Sequence, residues 1–450
     1  MSQRREQAGH AEAGLPLVTG DDAGLLFCGP DALSRAAFRR RVEALAARLP
    51  DAPFVLNLCE RRDHFIIAFC AALLRGQVTL LPPSRAPGVV DEVATRHPGG
   101  YRLGDGDALP CDVRVEDNDV AAGDADAFDW YIPADRLAMI GFTSGSTGTP
   151  SANPKTWGAL VHTNAANLHA LADLFDGAQA SIVATVPPQH MYGMEMSVLM
   201  PMRGPFAVHA GRPFFPADVA RALDEVAAPR LLVTTPVHLR ALLEAGTELP
   251  ALAAIVTATA PLPVETARMA EARFGCEVRE LFGATETCVI AQRRTAREEA
   301  WRLYRDVALH PVADGTQVER ASLATPVRLA DMVEMTDGGT RFLLRGRQAD
   351  LLEIAGKRAS LADLTRRLQQ ISGVRDAAML QLDADAAGVR RLVAFVCADP
   401  SLADATILTA LRAGTDPVFL PRRIVRVDAL PRNETGKMPR DALLALLPRD

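Results

Sequence analysis

The chain has 450 residues, 48% hydrophobic and 23% charged, enough for roughly two to four domains with large cores. A net charge of -6 argues against a nucleic-acid-binding surface, and seven cysteines without a CxxC pair argue against a metal site or disulfide framework. The start lacks the apolar core of a signal peptide, and no apolar run approaches the ~18–20 residues of a membrane helix, so we expect a cytoplasmic protein with no membrane partner.

Strand and helix patterns alternate after residues 1–20, a polar segment that we expect to be mobile. The apolar run 54–59 predicts a strand, 63–76 a helix capped by Asp63, and 78–84 another strand. This order is typical of a βαβ unit in a parallel sheet. The same rhythm continues with strands predicted at 137–142, 180–188, 231–236, 252–259 and 276–283, and helices at 218–227, 237–246 and 264–275.

The pattern changes after Arg345. Residues 345–350, RGRQAD, are typical of a linker. Apolar residues at helical spacing then predict a helix, and strands are predicted at 390–398 and 422–430. We therefore predict an α/β protein. Its large N-terminal domain, residues 21–346, has layered, mostly parallel sheets and helices, and residues 351–450 form a small α+β domain.

The segment 141–157, GFTSGSTGTPSANPKTW, follows a predicted strand and carries a run of hydroxyls and glycines. The carboxyl edge of an open α/β sheet is where ligands bind, and main-chain N–H groups with hydroxyl donors suit phosphate. The alternative is a flexible Ser/Gly-rich loop. A P-loop is excluded, because Gly145 and Gly148 are too close together and no Gly-Lys pair follows them directly.

FTSGSTGTP resembles the phosphate loop of the adenylate-forming superfamily, which contains acyl-CoA synthetases, peptide-synthetase adenylation domains and luciferases and usually reads [YF]TSGSTGxPKG. Here Lys155 stands behind four intervening residues, 151–154. We predict that it reaches the phosphates from this displaced position; the alternative is a lysine that faces solvent. By the resemblance the β,γ-phosphates bind Thr143, Ser144, Gly145, Ser146, Thr147 and Gly148.

Further segments resemble the other superfamily signatures in the same order. They are the acyl-pocket motif PPQHMYGM (187–194), the adenine turn TATAPLP (257–263), the YGxTE-like LFGATET (281–287), the ribose block 329–347, the hinge block 346–361 and the C-terminal LPRNETGKMPR (430–440). Two family glycines of the adenine turn are replaced by Ala258 and Thr259. Asp331 stands one residue further from Gly346 than expected, which predicts a small insertion.

The resemblance also implies roles for individual residues. Thr285 and Lys437 would contact the α-phosphate, and Glu286 would bind Mg²⁺. Adenine would lie against Ala260, Pro261 and Phe282, and the ribose would bind Asp331 and Arg347. The acyl pocket would include His190, Tyr192, Gly193 and Gly283. A hinge at Gln348, Ala349 and Asp350 would let the small domain swing, bringing Gly356 and Arg358 to the thiol; Ala349 and Glu353 depart from the usual acid and lysine.

The implied activity has two half-reactions, with ATP and Mg²⁺ required. A carboxylate attacks the α-phosphate of ATP to give an acyl-AMP and pyrophosphate, and a phosphopantetheine thiol of CoA or an acyl carrier protein then displaces AMP. The pattern P-x-x-x-x-K-x-W after the loop resembles a stand-alone subgroup expected to load an aryl acid, such as a hydroxybenzoate, onto a carrier protein. The alternatives are a fatty-acid or aryl-acid CoA ligase and a non-catalytic nucleotide or acyl binder. We expect a monomer or homodimer.

Overall fold

The computed structural model describes residues 14–107, 109–117, 128–143, 151–175, 179–347, 351–354, 357–383, 390–413, 415–432 and 438–448. Its mixture of sheets and helices confirms the predicted α/β class. Within these residues, no helix is long and apolar enough to cross a membrane.

The strands follow in chain order. They are β1 Leu15–Pro16, β2 Leu25–Cys28, β3 Leu33–Ser34, β4 Phe54–Asn57, β5 Val78–Leu81, β6 Tyr101–Gly104, β7 Val113–Arg114, β8 Tyr131–Ile132, β9 Leu137–Thr143, β10 Ser151–Thr156, β11 Ala180–Ala184, β12 Phe206–His209, β13 Arg230–Thr234, β14 Ala254–Thr257, β15 Glu277–Ala284, β16 Cys288–Arg293, β17 Trp301–Leu303, β18 Val307–Val312, β19 Gly315–Arg320, β20 Val327–Leu329, β21 Asp331–Thr336, β22 Arg341–Arg347, β23 Leu351–Ile354, β24 Lys357–Ser360, β25 Val374–Gln381, β26 Leu392–Ala398 and β27 Arg423–Arg426.

The helices connect and flank these strands. They are α1 Arg35–Arg48, α2 Arg62–Leu74, α3 Pro87–Arg96, α4 Trp157–Ala170, α5 (the consecutive segments Met191–Gly193, Met194–Leu199 and Met200–Arg203), α6 Pro216–Asp224, α7 Pro236–Glu244, α8 Val264–Phe274, α9 Leu361–Gln369, α10 Asp404–Arg412 and α11 Arg440–Leu444.

Two large sheets form most of the fold. The first has the order β10-β9-β5-β4-β6-β7, with β10 antiparallel to β9 and the others parallel. The second has eleven strands in the order β21-β22-β17-β16-β15-β14-β13-β11-β12-β2-β3, parallel from β15 to β2 and antiparallel at both ends. Parallel strands joined by helices place all their carboxyl ends on one edge, where ligands bind in such sheets.

Helix α2 is enclosed between the sheets and ties them together. Nearly every one of its residues is buried, as expected for a helix that is apolar all round. At its start, the guanidinium of Arg62 donates to the carbonyls of Ala184 (2.9 Å) and Val186 (3.0 Å) after β11. Burial lowers the pKa of Arg62 to about 9. Because these carbonyls precede residue 187, Arg62 fixes the entry to the predicted acyl-pocket segment.

The predicted capping role of Asp63 is wrong. Helix α2 begins after Arg61, and the Asp63 carboxylate instead pairs with the Arg61 guanidinium at 2.8 Å. The main-chain N–H groups of Glu60 and Arg61 donate to Asp105, which follows β6. The acceptor at this helix start therefore comes from a distant part of the chain, which local sequence cannot reveal.

The predicted linker at 345–350 is also partly wrong, because residues 345–347 belong to β22. The hairpin of β21 and β22 turns at Asp337–Gly339. Its register pairs Met332 with Gly346 and Val333 with Leu344, so Arg345 is an extra residue in a β-bulge. A small insertion between Asp331 and Gly346 would produce such an extra residue, and the insertion itself stays a prediction.

Residues beyond 351 have hydrophobic clusters of their own. One cluster packs α9 and α10 against one face of β25 and β26, and another covers the opposite face with β27 and α11. An ion pair joins this part to α7, where Arg240 donates to Asp376 at 2.8 Å, and Arg432 binds the same carboxylate at 2.9 Å. The domain boundaries and the swing about residues 347–350 stay predictions.

All seven cysteines carry free thiols, and six of them are buried. Burial raises the pKa of Cys28 to about 11 and the pKa values of Cys276 and Cys288 to about 12. Such thiols behave as small apolar side chains, since the thiolate form is strongly disfavoured.

Candidate active site

The end of β9 meets the turn after β15, although the two strands belong to different sheets. The hydroxyl of Thr143 lies 2.7 Å from that of Ser151 and donates to Glu286 Oε1 at 3.5 Å. A Cβ added at Gly141 would lie 3.2 Å from Thr285 Cγ2. The start of the predicted phosphate loop is thereby next to the predicted α-phosphate and Mg²⁺ residues. Ser144, Gly145, Ser146, Thr147 and Gly148 lie outside the described residues.

Lys155 enters the same place from β10. The segment interpreted as four intervening residues is itself part of this strand, which pairs with β9. The Lys155 side chain is buried, and its Nζ donates to the main-chain carbonyl of Glu286 at 2.5 Å. The alternative of a solvent-facing lysine therefore does not hold, while contact with phosphate stays a prediction.

Two buried charged residues form hydrogen bonds to the main chain of the strand that follows this turn. Glu195 of α5 accepts from the main-chain N–H of Val289 at 3.1 Å and from Asn167 at 3.0 Å. Arg320 of β19 donates to the carbonyls of Val289 (2.9 Å) and Thr287 (3.4 Å). Burial raises the pKa of Glu195. Sequence reasoning missed both residues, though a glutamate inside the apolar run MYGMEMSVLM is a recognisable signal.

The acyl-pocket segment combines a fixed tyrosine with an obligatory glycine. The hydroxyl of Tyr192 donates to the carbonyl of Val256 on β14 at 2.8 Å, so this side chain anchors α5 to the sheet. A Cβ added at Gly193 would overlap the carbonyl oxygen of Pro187. His190 is half-buried just before α5. The three residues lie at the carboxyl edge of the second sheet, and their contact with an acid stays a prediction.

Gly283 allows a close approach at the end of β15. A Cβ there would overlap the carbonyl oxygen of Cys288, and the β15–β16 register shifts between Phe282 and Gly283. Phe282 packs against Trp301 and Phe342, with ring centroids at 5.3 and 5.7 Å. The glycine and the aromatic cluster together shape the strand end from which Thr285 and Glu286 project.

The predicted adenine turn holds a threonine in a conformation that favours glycine. Thr259, which replaces a family glycine, has a φ of 83°, and such a value is strained for a β-branched residue. The Leu262 N–H donates to buried Glu280 at 2.9 Å, which fixes the turn that includes Ala260 and Pro261. The hydroxyls of Thr257 and Thr259 are buried without a hydrogen-bond partner.

The predicted ribose ligands are neighbours on one ladder. Asp331 begins β21 and pairs directly with Arg347, the last residue of β22. The carbonyl of Asp331 accepts from the Thr316 hydroxyl at 2.6 Å, which connects this strand to β19. The bulge at Arg345 is what brings the two predicted ligands opposite each other.

The remaining predicted residues are described only in part. Arg358 lies in β24, where its main chain pairs with Glu353 of β23. Gln348, Ala349, Asp350, Gly356 and Lys437 lie outside the described residues.

A further polar row, not predicted from the sequence, follows β11 and β13. The hydroxyl of Thr185 lies 3.0 Å from that of Thr234 and 2.8 Å from Nδ1 of His238 in α7. Burial lowers the pKa of His238 to about 4, so its imidazole is neutral at pH 7. No local motif marks these residues. The apolar patterns of the sequence predict the strands and the helix that carry them, but not a shared polar role.

The donor set fits magnesium and a nucleotide. Mg²⁺ takes oxygen ligands and is commonly held by one or two carboxylates together with substrate phosphates. Glu286 supplies such a carboxylate beside the Thr143 hydroxyl, and Thr285 lies next to it near Gly141. The orphaned buried hydroxyls of Thr257 and Thr259 fit a ligand that completes their hydrogen bonds.

Changing Gly193 to alanine should destabilise the protein by about 1–3 kcal/mol, because the new methyl group must displace the main chain at Pro187. The melting temperature of Gly193→Ala, measured by calorimetry, should fall by several degrees. Gly88→Ala is the matched control, since nothing lies within 4 Å of a Cβ at that position in α3. Equal melting temperatures for the two variants would contradict the close approach.

Comparisons with known proteins place these features in context. The family model described as "AMP-binding enzyme" matches residues 89–319. A 4-coumarate–CoA ligase from Rhodobacter capsulatus is 31% identical over 298 residues, which are 66% of this chain and 73% of that protein. An isonitrile lipopeptide synthase from Streptomyces coeruleorubidus is 40% identical over 124 residues, 27% of this chain and 8% of that protein.

The fold also resembles solved structures. The o-succinylbenzoate coenzyme A synthetase MenE from Bacillus subtilis, in complex with ATP and magnesium ion, superposes with a TM-score of 0.76 at 18% identity and covers 93% of this chain and 96% of its own. At this identity the likeness concerns the fold.

Proposed function

The chain belongs to the family of AMP-binding enzymes, and from this premise we propose that it is an acid–thiol ligase that activates a carboxylic acid with ATP. A carboxylate oxygen of the acid attacks the α-phosphorus, the bond to the bridging oxygen breaks, and pyrophosphate leaves. A thiolate then attacks the acyl carbonyl of the resulting acyl-AMP, and AMP leaves. The observation that carries the proposal is the convergence of Thr143, Thr285 and Glu286 at adjoining strand ends.

Each proposed role follows from charge and position. Phosphoryl transfer needs little covalent chemistry from a protein, so positioning and charge neutralisation dominate. Thr285 and Lys437 would stabilise charge on the α-phosphate, and Thr143 with the loop behind it would hold the β,γ-phosphates. Mg²⁺ held by Glu286 would neutralise phosphate charge when bound. Asp331 and Arg347 would fix the ribose, and Ala260, Pro261 and Phe282 the adenine.

For the acid we propose an aryl carboxylate. The 31% identical relative is named for 4-coumarate, an aryl acid, and the sequence pattern P-x-x-x-x-K-x-W favours the same class. Lys155 and Trp157 of this pattern are both buried, so these residues pack beside the site and do not belong to a solvent-exposed loop. His190, Tyr192, Gly193 and Gly283 would shape the acyl pocket.

Two acceptors are supported by different observations. The relatives named as CoA ligases favour the thiol of CoA. The match to a peptide synthase segment and the subgroup pattern favour the phosphopantetheine thiol of an acyl carrier protein. Both acceptors present the same arm, which would approach Gly356 and Arg358 after the small domain swings about Gln348, Ala349 and Asp350.

A pyrophosphate-release assay over a panel of acids tests the proposal. With ATP and Mg²⁺, 4-coumarate or 4-hydroxybenzoate should be at least about tenfold faster than octanoate, because pocket contacts discriminate acids by kcal/mol amounts. Mass spectrometry of reactions with CoA or holo carrier protein then identifies the acceptor. ATP binding without pyrophosphate release for any acid would favour the non-catalytic binder instead.

A further inference from the structure

Lysine is rare in this chain. Lys155, Lys357 and Lys437 are the only lysines among 49 basic residues, and all the others are arginines. On a surface the two residues serve similarly, but an ammonium is a compact point charge and a guanidinium is a planar fork. Because nearly all basic residues of this chain are arginines, the contacts of each lysine ammonium are informative.

Lys155 is a buried ammonium directed at one main-chain atom. It is 6% exposed, and Nζ donates to the carbonyl of Glu286 at 2.5 Å. It is the one buried residue of β10, and the register shifts immediately after it. A buried charge is costly unless it is hydrogen-bonded or paired, so this contact is a specific feature of the fold.

Three buried charges hold the segment 286–289 from different elements. Lys155 from β10 binds the carbonyl of Glu286, Arg320 from β19 binds those of Thr287 and Val289, and Glu195 from α5 accepts the N–H of Val289. The carboxylate of Glu195 also balances the two cations. The segment needs such support, because Cys288 has a φ of 61°, which is strained for a residue other than glycine.

We propose that Lys155 is a positioning residue that acts through Glu286 and does not itself bind phosphate. The ammonium fixes the Glu286 main chain, and this holds the carboxylate beside Thr143, where Mg²⁺ would bind. The inference rests on the proposed function, since it concerns the metal end of the same site. Groups that orient metal ligands typically contribute 10–100-fold to metal affinity.

The test compares wild type with Lys155→Met, which keeps an unbranched side chain one atom shorter and removes its charge. Pyrophosphate release is measured against free Mg²⁺ at saturating ATP, and against ATP at saturating Mg²⁺. The half-saturating Mg²⁺ concentration should rise about tenfold or more, whereas the KM for ATP at saturating Mg²⁺ should stay within about twofold. Calorimetry with α,β-methylene ATP at several Mg²⁺ concentrations gives the same comparison without catalysis.

Arg203→Met is the control, because its guanidinium binds the carbonyl of Pro16 near the start of the described chain; it should leave the Mg²⁺ dependence unchanged. Lys155→Gln, which retains an N–H donor, should fall between wild type and Lys155→Met and serves if the latter does not fold. A raised KM for ATP with unchanged Mg²⁺ dependence would mean direct phosphate contact and overturn the inference, as would no change in either. If the wild type binds nucleotide but releases no pyrophosphate, the proposed function is refuted. The positioning role of Lys155 is then still tested by the calorimetric measurements.

Discussion

Glu286→Gln should lower the rate of ATP-dependent pyrophosphate release by about 100-fold or more. The substitution keeps the size of the side chain but removes the negative charge that Mg²⁺ requires of a strong ligand, and removing one preorganised charge-stabilising group typically costs 10²–10³-fold in rate. Glu286 lies within 3.5 Å of the Thr143 hydroxyl and has its main chain fixed by Lys155, so little rearrangement can compensate.

The measurement is initial-rate pyrophosphate release with the best acid, repeated across Mg²⁺ concentrations. Glu334→Gln is the matched control, because that glutamate is exposed and pairs only with Arg345 among the described contacts; it should leave the rate unchanged. A Glu286→Gln enzyme with wild-type rate and wild-type Mg²⁺ dependence would refute the assignment of Glu286 as a metal ligand.

Lys437→Ala should lower acyl-AMP formation by about 10²–10³-fold, the usual cost of losing one group that stabilises developing charge. A chemically prepared acyl-AMP should still react with the thiol acceptor at close to the wild-type rate, since the proposed swing of residues 351–450 would carry Lys437 away from the site before thioester formation. Single-turnover assays of the two half-reactions make the comparison.

Arg412→Ala, on an exposed position at the end of α10, is the control for loss of a cation from the same part of the chain. Equal losses in both half-reactions would point to a general structural role for Lys437. An unchanged rate of acyl-AMP formation would refute its assignment altogether.

Much of the secondary structure around the candidate site could be predicted from the sequence, because strand ends carry their own signals. The strand that runs into Thr143, the turn after β15 and the helices between the parallel strands all follow from local apolar patterns and turn residues. The α/β class and the family assignment are confirmed. The roles of individual site residues stay predictions, including that of Lys437, which lies outside the described part of the chain.

What the sequence did not predict depends on contacts between distant residues. Glu195 and Arg320 reach the 286–289 segment from α5 and β19, and Asp105 supplies the acceptors expected from Asp63. In the sequence, residues 151–154 are identified only as residues that intervene before Lys155, yet pairing with β9 makes 151–156 an edge strand. Pro154 is acceptable there, since an edge strand has one side without pairing partners.

Thr259 shows where local rules fail for a physical reason. A positive φ is ordinarily adopted by glycine, yet Thr259 has a φ of 83° in this turn. Strain of this kind persists where surrounding contacts determine the conformation, and the bond between Leu262 and Glu280 is one such contact.

The buried thiols have a consequence for an enzyme of this kind. An acyl-AMP is an activated mixed anhydride, and any accessible thiolate of the chain would capture the acyl group in a dead-end self-acylation. Cys288 lies only two residues from Glu286, yet it is buried with a pKa near 12, so at neutral pH it presents almost no nucleophile. The packing that makes Cys288 an ordinary core residue thus keeps this thiol from competing for such an intermediate.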